Sequence, residues 1–180
     1  EEQNVEAFYA RCLEVFLPET FEVVFVNDGS TDASMNILEV IAQQNKNVRV
    51  ISFSRNFGHE AAMIAGIDHA AGDVIICMDA DLQHPLECIA PIMAKFEEGY
   101  EVISMVRTSN KSAGAIKNFT SRAFYRVINA LSDQVKLEEN ASDFFAISSR
   151  VADVLRTNYR EKTRFLRGYV QSVGFRKTTL

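Results

Sequence analysis

Four short apolar runs recur along the first 106 residues: one in FEVVFVNDGSTD at about 22–26, VRVISF at 48–53, DVIICM at 73–78 and YEVISMV at 100–106. Nothing constrains the fold more than this alternation. Strands that are apolar almost throughout need cover on both faces, and the intervening segments are long enough to be helices that supply it. The pattern predicts an α/β fold, a mostly parallel sheet with crossover helices. The first helix starts with the first residues, EEQNVEAFYARCLEVF. ASMNILEVIAQQ follows, capped by Thr31 or Asp32, then NFGHEAAMIAGIDHAAG closed by Gly72 and PLECIAPIMAKFEEG closed by Gly99.

The pattern changes after Arg107. TSNKSAGAIK is polar and reads as a loop, NFTSRAFYRVINALS as an amphipathic helix and SDFFAIS as a strand. SRVADVLRTN and TRFLRGYVQSVG are helical, and FRKTTL is a last strand. With 180 residues, 47% of them apolar, the chain suits one domain with a sizeable core. Its net charge of −5 is unevenly spread, −13 over residues 1–106 and +8 over 107–180. An acidic half followed by a basic half says more than the total, although two solvated faces are the ordinary reading of such charge runs. Nucleic acid is a poor fit, because aromatic residues are not interleaved with the basic ones as a stacking platform. Cys12, Cys77 and Cys88 have no metal-ligand spacing, which points to a reducing compartment. The longest apolar runs fall far short of the ~20 residues of a spanning helix.

Ligands of open α/β sheets bind beyond the carboxyl ends of the strands. Asn27-Asp28-Gly29-Ser30 stands at one such end and Asp79-Ala80-Asp81 at another. Either alone is an ordinary turn; both at one sheet edge indicate a site. Two carboxylates at i and i+2 can converge on a hard cation, Mg²⁺ or Mn²⁺, shared with substrate phosphates. Gln83 can add an amide oxygen. His84 is a weaker candidate ligand, and a loop histidine is its readier reading.

In this order, VNDGSTD, SRNFGHEAAMIAGIDHAAGD and MDADLQHPLE resemble the inverting nucleotide-sugar glycosyltransferases of family 2, which have the GT-A, Rossmann-like fold. The resemblance is nearest to the polyprenyl-phosphate branch, the dolichyl- and undecaprenyl-phosphate sugar synthases of cell-envelope and glycan assembly. FYRVINALSD, ASDFFAISSRVADVL and TRFLRGYVQSVGFRK extend it over nearly the whole chain. It implies that Asp28 binds the base or ribose, that Asp79 contacts the ribose and the metal-diphosphate region, and that Asp81 and Gln83 ligate the metal. Arg55 would line the nucleotide pocket, with a surface ion pair as the alternative. Asp143 would sit near the acceptor and the sugar, so the catalytic assignments are Asp143 and Asp81. Residues 1–106 would form the donor half and 107–180 the acceptor half. The family often has Arg where Phe145 stands here, and Arg107, Arg122, Arg126, Arg164 and Arg167 are the candidates to replace it.

The family opens with a strand followed by a Pro-x-Tyr-Asn-Glu-Glu motif, whose tail Glu1-Glu2 resemble; the resemblance places that strand between those at 22–26 and 74–78, so the chain is expected to be a piece of a larger protein. Unpaired edges would favour self-association into a homo-oligomer. The implied partners are a nucleotide-sugar donor, a polyprenyl phosphate acceptor and a membrane surface. The implied location is the cytoplasmic face of a membrane, with membrane helices expected in the parent protein. Lys117, Arg122 and Arg126, on a helix that also carries Phe119, Phe124 and Tyr125, could face lipid phosphate. Three competing readings remain: a transferase acting on a glycan hydroxyl with Asp143 as base, a non-catalytic nucleotide-binding module, and a phosphoacceptor receiver domain. The last is disfavoured by the chain's length and by the motifs after residue 107.

Overall fold

The opening segment carries apolar residues at i, i+3, i+4 and i+7, and helix α1 (Glu2–Val15) buries them as Val5, Phe8, Tyr9 and Cys12. The computed structural model describes residues 2–16, 20–106, 141–159 and 165–180. The alternation then proceeds through β1 (Val23–Asn27), α2 (Ser34–Gln44), β2 (Val48–Ser52), α3 (His59–His69) and β3 (Val74–Cys77). A 3-10 turn at Leu86–Cys88 leads into α4 (Ile89–Glu97) and β4 (Val102–Val106). The chain continues with β5 (Ala141–Ser148), α5 (Ser149–Asn158), α6 (Leu166–Ser172) and β6 (Lys177–Thr179). The polar loop and basic helix expected after residue 106 lie outside the described residues. With them lie Arg107, Lys117, Phe119, Arg122, Phe124, Tyr125, Arg126 and Arg164.

The strands form two pieces, β1-β2 and β3-β5-β4-β6. The β1–β2 and β4–β6 pairs are parallel, as the alternation predicts. β5 is antiparallel to both of its neighbours. A strand from the second half of the chain therefore separates two strands of the first half, and residues 1–106 and 141–180 share one core. The two pieces divide between β1 and β3, where the resemblance places a further strand; among the described residues each of these is paired on one side only.

Both faces of the sheet are covered. Ile75 of β3 packs with Ile64 and Ile67 of α3, Phe145 and Ile147 of β5, and Val151 and Leu155 of α5. The next residue, Ile76, faces the opposite layer, against the cluster of Phe8, Phe25, Leu38 and Leu86. Burying each of these side chains is worth roughly 1.5–3 kcal/mol, so the period-two alternation fixes which way β3 faces.

Helix ends set the loop geometry. Gly99 (φ 85°) closes α4, as its sequence position predicts. Its N–H bonds the Phe96 carbonyl and the Tyr100 N–H bonds that of Lys95, a Schellman arrangement. The other predicted glycine stop is corrected: α3 ends at His69, and Ala70 is already extended, before Gly72 is reached. A guanidinium takes over the glycine's task. Arg156 of α5 donates to the Ile67 carbonyl at 3.1 and 2.5 Å and to that of Ala70 at 2.6 Å. At the start of α2 the expected cap is displaced by one residue. Ala33 holds the cap position, while the Asp32 carboxylate accepts the Ser34 N–H at 3.1 Å. Among the described residues no helix is long and apolar enough to cross a membrane.

Candidate functional site

Two loops at the carboxyl edge of β1 and β2 are interlocked. Asn27 is buried, and its amide nitrogen lies 3.3 Å from Ser52 Oγ while its Oδ1 accepts the Ser30 N–H at 3.0 Å. The Asn27 carbonyl accepts the Phe53 N–H at 2.9 Å. Gly29 (φ 70°) lies so close to the second loop that a Cβ there would be 2.4 Å from the Arg55 carbonyl carbon. Asp28 completes the clamp: Oδ1 accepts the Phe57 N–H at 2.6 Å and Oδ2 the Gly58 N–H at 2.9 Å. Each carboxylate oxygen retains acceptor capacity beyond these bonds, so a base or ribose can still be met. Arg55 stacks 4.0 Å above the exposed Phe57 ring. It makes no ion pair with a described carboxylate, so the surface-pair alternative finds no support among the described residues.

A different arrangement holds the edge of β3 and β5. The pairing Cys77↔Phe145, carried two residues on, sets Asp79 opposite Asp143. On the other side of β5 the register slips: Ser104 pairs with Phe145, but Val106 pairs with Ala141 rather than with Asp143. Ser142 Oγ holds the slip, donating to the Met105 carbonyl at 3.1 Å and accepting the Phe144 N–H at 3.2 Å. Such irregularities re-aim side chains at sheet ends, and this one carries Asp143. Arg167 of α6 donates to Asp143 Oδ1 from Nη2 at 2.5 Å and from Nε at 3.2 Å. His59, the first residue of α3, faces both acids. Its Nδ1 is 3.6 Å from Asp79 Oδ1 and its Nε2 is 3.8 Å from Asp143 Oδ2.

The remaining candidates lie in the loop after Asp79. Asp81 Oδ1 accepts the Gln83 N–H at 2.9 Å, and Leu82 between them is left-handed (φ 63°), an uncommon conformation for a branched side chain. Gln83 itself is exposed. His84 closes this loop as a structural residue. Its Nδ1 accepts the Asp79 N–H at 3.3 Å, and its ring stacks on Phe144 with centroids 4.9 Å apart. Asp79, Asp81 and Gln83 offer hard oxygen donors of the type that suits Mg²⁺ or Mn²⁺. Among the described residues no three His, Cys, Asp or Glu side chains form a ready-made cage.

Two carboxylate-bearing loops and the start of strand β5 thus meet at one place, the start of α3. Asp28 holds Phe57 and Gly58, and His59 follows directly. The sequence singled out Asp28, Arg55, Asp79, Asp81, Gln83 and Asp143 but gave no role to His59. Its only signal was its position immediately after SRNFG at a helix start. Arg167 is the one candidate replacement cation within the described residues. Phe145 is 2% exposed and points into the core.

Residues 1–156 match the model of the family described as Glycosyl transferase family 2. An uncharacterized glycosyltransferase of Synechocystis sp. is 39% identical over 180 residues, covering 99% of this chain and 56% of its own length. The bactoprenol glucosyl transferase of Shigella phage SfV is 36% identical over 176 residues, covering 97% of this chain and 57% of that protein. The chain therefore spans about half the length of the curated relatives it matches. Among solved structures, a mannosyltransferase from Pyrobaculum calidifontis in complex with GDP-Man and Mn²⁺ aligns with a TM-score of 0.65 at 17% identity, over 100% of this chain and 51% of that one. S. aureus TarS in complex with UDP-GlcNAc aligns with the same TM-score of 0.65 at 17% identity, over 99% of this chain and 52% of that one. At such identities the likeness establishes the fold alone, and that fold is GT-A.

Proposed function

Since the chain belongs to glycosyl transferase family 2, we propose that it carries the active site of a transferase that moves a sugar from a nucleoside diphosphate to a polyprenyl phosphate, with inversion at the anomeric carbon. The observation that supports this best is the placement of Asp79 and Asp143 at one sheet edge, with the guanidinium of Arg167 on the Asp143 side. Relatives named bactoprenol glucosyl transferase support the lipid-linked acceptor.

Residues 1–106 carry the donor side in this proposal. Asp28 and Arg55 shape and line the nucleoside pocket, and Asp79, Asp81 and Gln83 face the diphosphate with a divalent cation. When bound, that cation would act as a Lewis acid toward the departing nucleoside diphosphate. Residues 107–180 carry the acceptor side. A phosphate acceptor is already ionised at neutral pH, so it needs positioning and charge screening, not a base. Arg167 supplies a cation there, and Asp143 orients the acceptor or the sugar. An acceptor hydroxyl would instead need Asp143 as base, and Arg167 already occupies one of its two oxygens. The +8 balance of the second half suits an anionic membrane surface at the cytoplasmic side.

The test is to incubate the full-length protein with nucleotide sugars and a polyprenyl phosphate in lipid vesicles, with and without chelator. A lipid-linked sugar phosphate that requires Mg²⁺ or Mn²⁺ is the expected product. Transfer only to a soluble glycan would overturn the acceptor. Nucleotide binding without turnover of any nucleotide sugar would make the chain a non-catalytic module.

A further inference from the structure

Two acids set opposite each other at the ends of neighbouring strands repel, and like charges in directly opposed positions destabilise a sheet. Carried two residues past its last pair, Cys77↔Phe145, the β3–β5 register brings Asp79 and Asp143 into such positions, and one His59 ring lies 3.6 and 3.8 Å from them. Their carboxylates are not left to face each other. Arg167 takes Oδ1 of Asp143, and the His59 ring stands between Oδ2 of Asp143 and Oδ1 of Asp79. The ring is well placed for this. It is the first residue of α3, and the preceding backbone is tied to Asp28 through Phe57 and Gly58. The far end of α3 is tied to α5 through Arg156. Both ends of the helix are anchored, so the ring's position is set by the fold rather than by a free loop.

We infer that His59 is a positioning residue that fixes the separation of the donor-side carboxylate Asp79 from the acceptor-side carboxylate Asp143, and thereby aligns the two substrates for in-line attack. This rests on the transfer reaction proposed above. His59 acts through the two carboxylates, so its loss should affect the aligned complex more than binding of either substrate alone. A misplacement of about 1 Å far from the chemistry can cost on the order of a hundredfold in rate.

The experiment compares the full-length wild-type protein with His59→Ala and His59→Gln in the same transfer assay. Expected for His59→Ala is a fall of kcat by at least about tenfold, with KM for the nucleotide sugar within about twofold of wild type. His59→Gln should recover part of the loss, because its side chain keeps a polar planar group of similar reach at this position. An unchanged kcat in His59→Ala, or a rise in donor KM as its only effect, overturns the inference. A second measurement keeps the two proposals separable. Denaturant unfolding of His59→Ala, Asp143→Asn and the double variant reads the contact without turnover. Non-additive losses support the bridge even if the assay yields no product, in which case the transfer proposal alone fails; additive losses overturn the bridge even in an active enzyme.

Discussion

The edge of β1–β2 and the edge of β3–β5 both carry acids, and they are held in opposite ways. At the first, Asp28 spends both oxygens on backbone N–H groups, Asn27 is buried with its amide engaged, and Gly29 lies against a neighbouring backbone. That loop pair is tied together by its own hydrogen bonds and by a close backbone approach. At the second, one imidazole stands between Asp79 and Asp143, and a guanidinium holds the other oxygen of Asp143. Asp79 and Asp143 remain over a third exposed. Under the function proposed above, the difference separates two tasks: the first edge gives the pocket its shape, and the second keeps carboxylate charge available.

The largest expected break in this contrast is Gly29→Ala. The added Cβ would meet the Arg55–Asn56 backbone in a left-handed conformation, and the combined overpacking and strain should cost about 3 kcal/mol. A lowered denaturation midpoint, with loss of nucleotide binding, is the expected result; a midpoint equal to wild type would show that the two loops are not interlocked. Asp81→Asn should act the other way, on ligand and not on fold. Calorimetric titration with nucleoside diphosphate and Mn²⁺ should show at least about tenfold weaker binding, roughly 1.4 kcal/mol, at an unchanged melting temperature. Unchanged affinity would remove Asp81 from the metal set.

The smallest effect is a pH dependence at Glu22, which ties the two pieces of the sheet together at the amino ends of β1 and β3, opposite the acids. Its carboxylate pairs with Arg49 of β2 and accepts the Ala71 N–H, just before β3, at 2.5 Å. Burial pushes its pKa up, but the Ala71 N–H and the Arg49 guanidinium more than offset this and hold it below the ordinary 4.5. A lowered carboxylate contributes stability in full above its unfolded pKa and loses it as pH falls below. Stability should therefore drop on acidification from about pH 5, and Glu22→Gln should flatten that slope. An identical acid slope in the variant would mean that Glu22 does not tie the two pieces together.

Much of the scaffold was legible because its signals are local. The four apolar runs became β1 to β4, the α1 stripe followed its 3.6-residue period, and Gly99 stopped α4. The acids at strand ends were visible for the same reason, since a carboxylate after an apolar run has little packing purpose. What escaped depends on contacts distant in sequence. Nothing near residue 141 tells that β5 will run antiparallel between β3 and β4. Gly72 was a sound stop signal, overridden by Arg156 from another helix. His59 carries no local mark of its role, which arises only when the register brings Asp79 and Asp143 to the same place.

The position of β5 bears on how the chain reaches its fold. β3 and β4 are close in sequence, but neither can complete its ladder until residues 141–148 have been made and threaded between them. Contacts of such sequence separation slow folding, because loop closure comes before the contacts that reward it. During synthesis the first half emerges with two apolar strands unsatisfied on their facing edges. That interval is when the chain is most open to wrong pairing with other chains, and it ends only when β5 arrives.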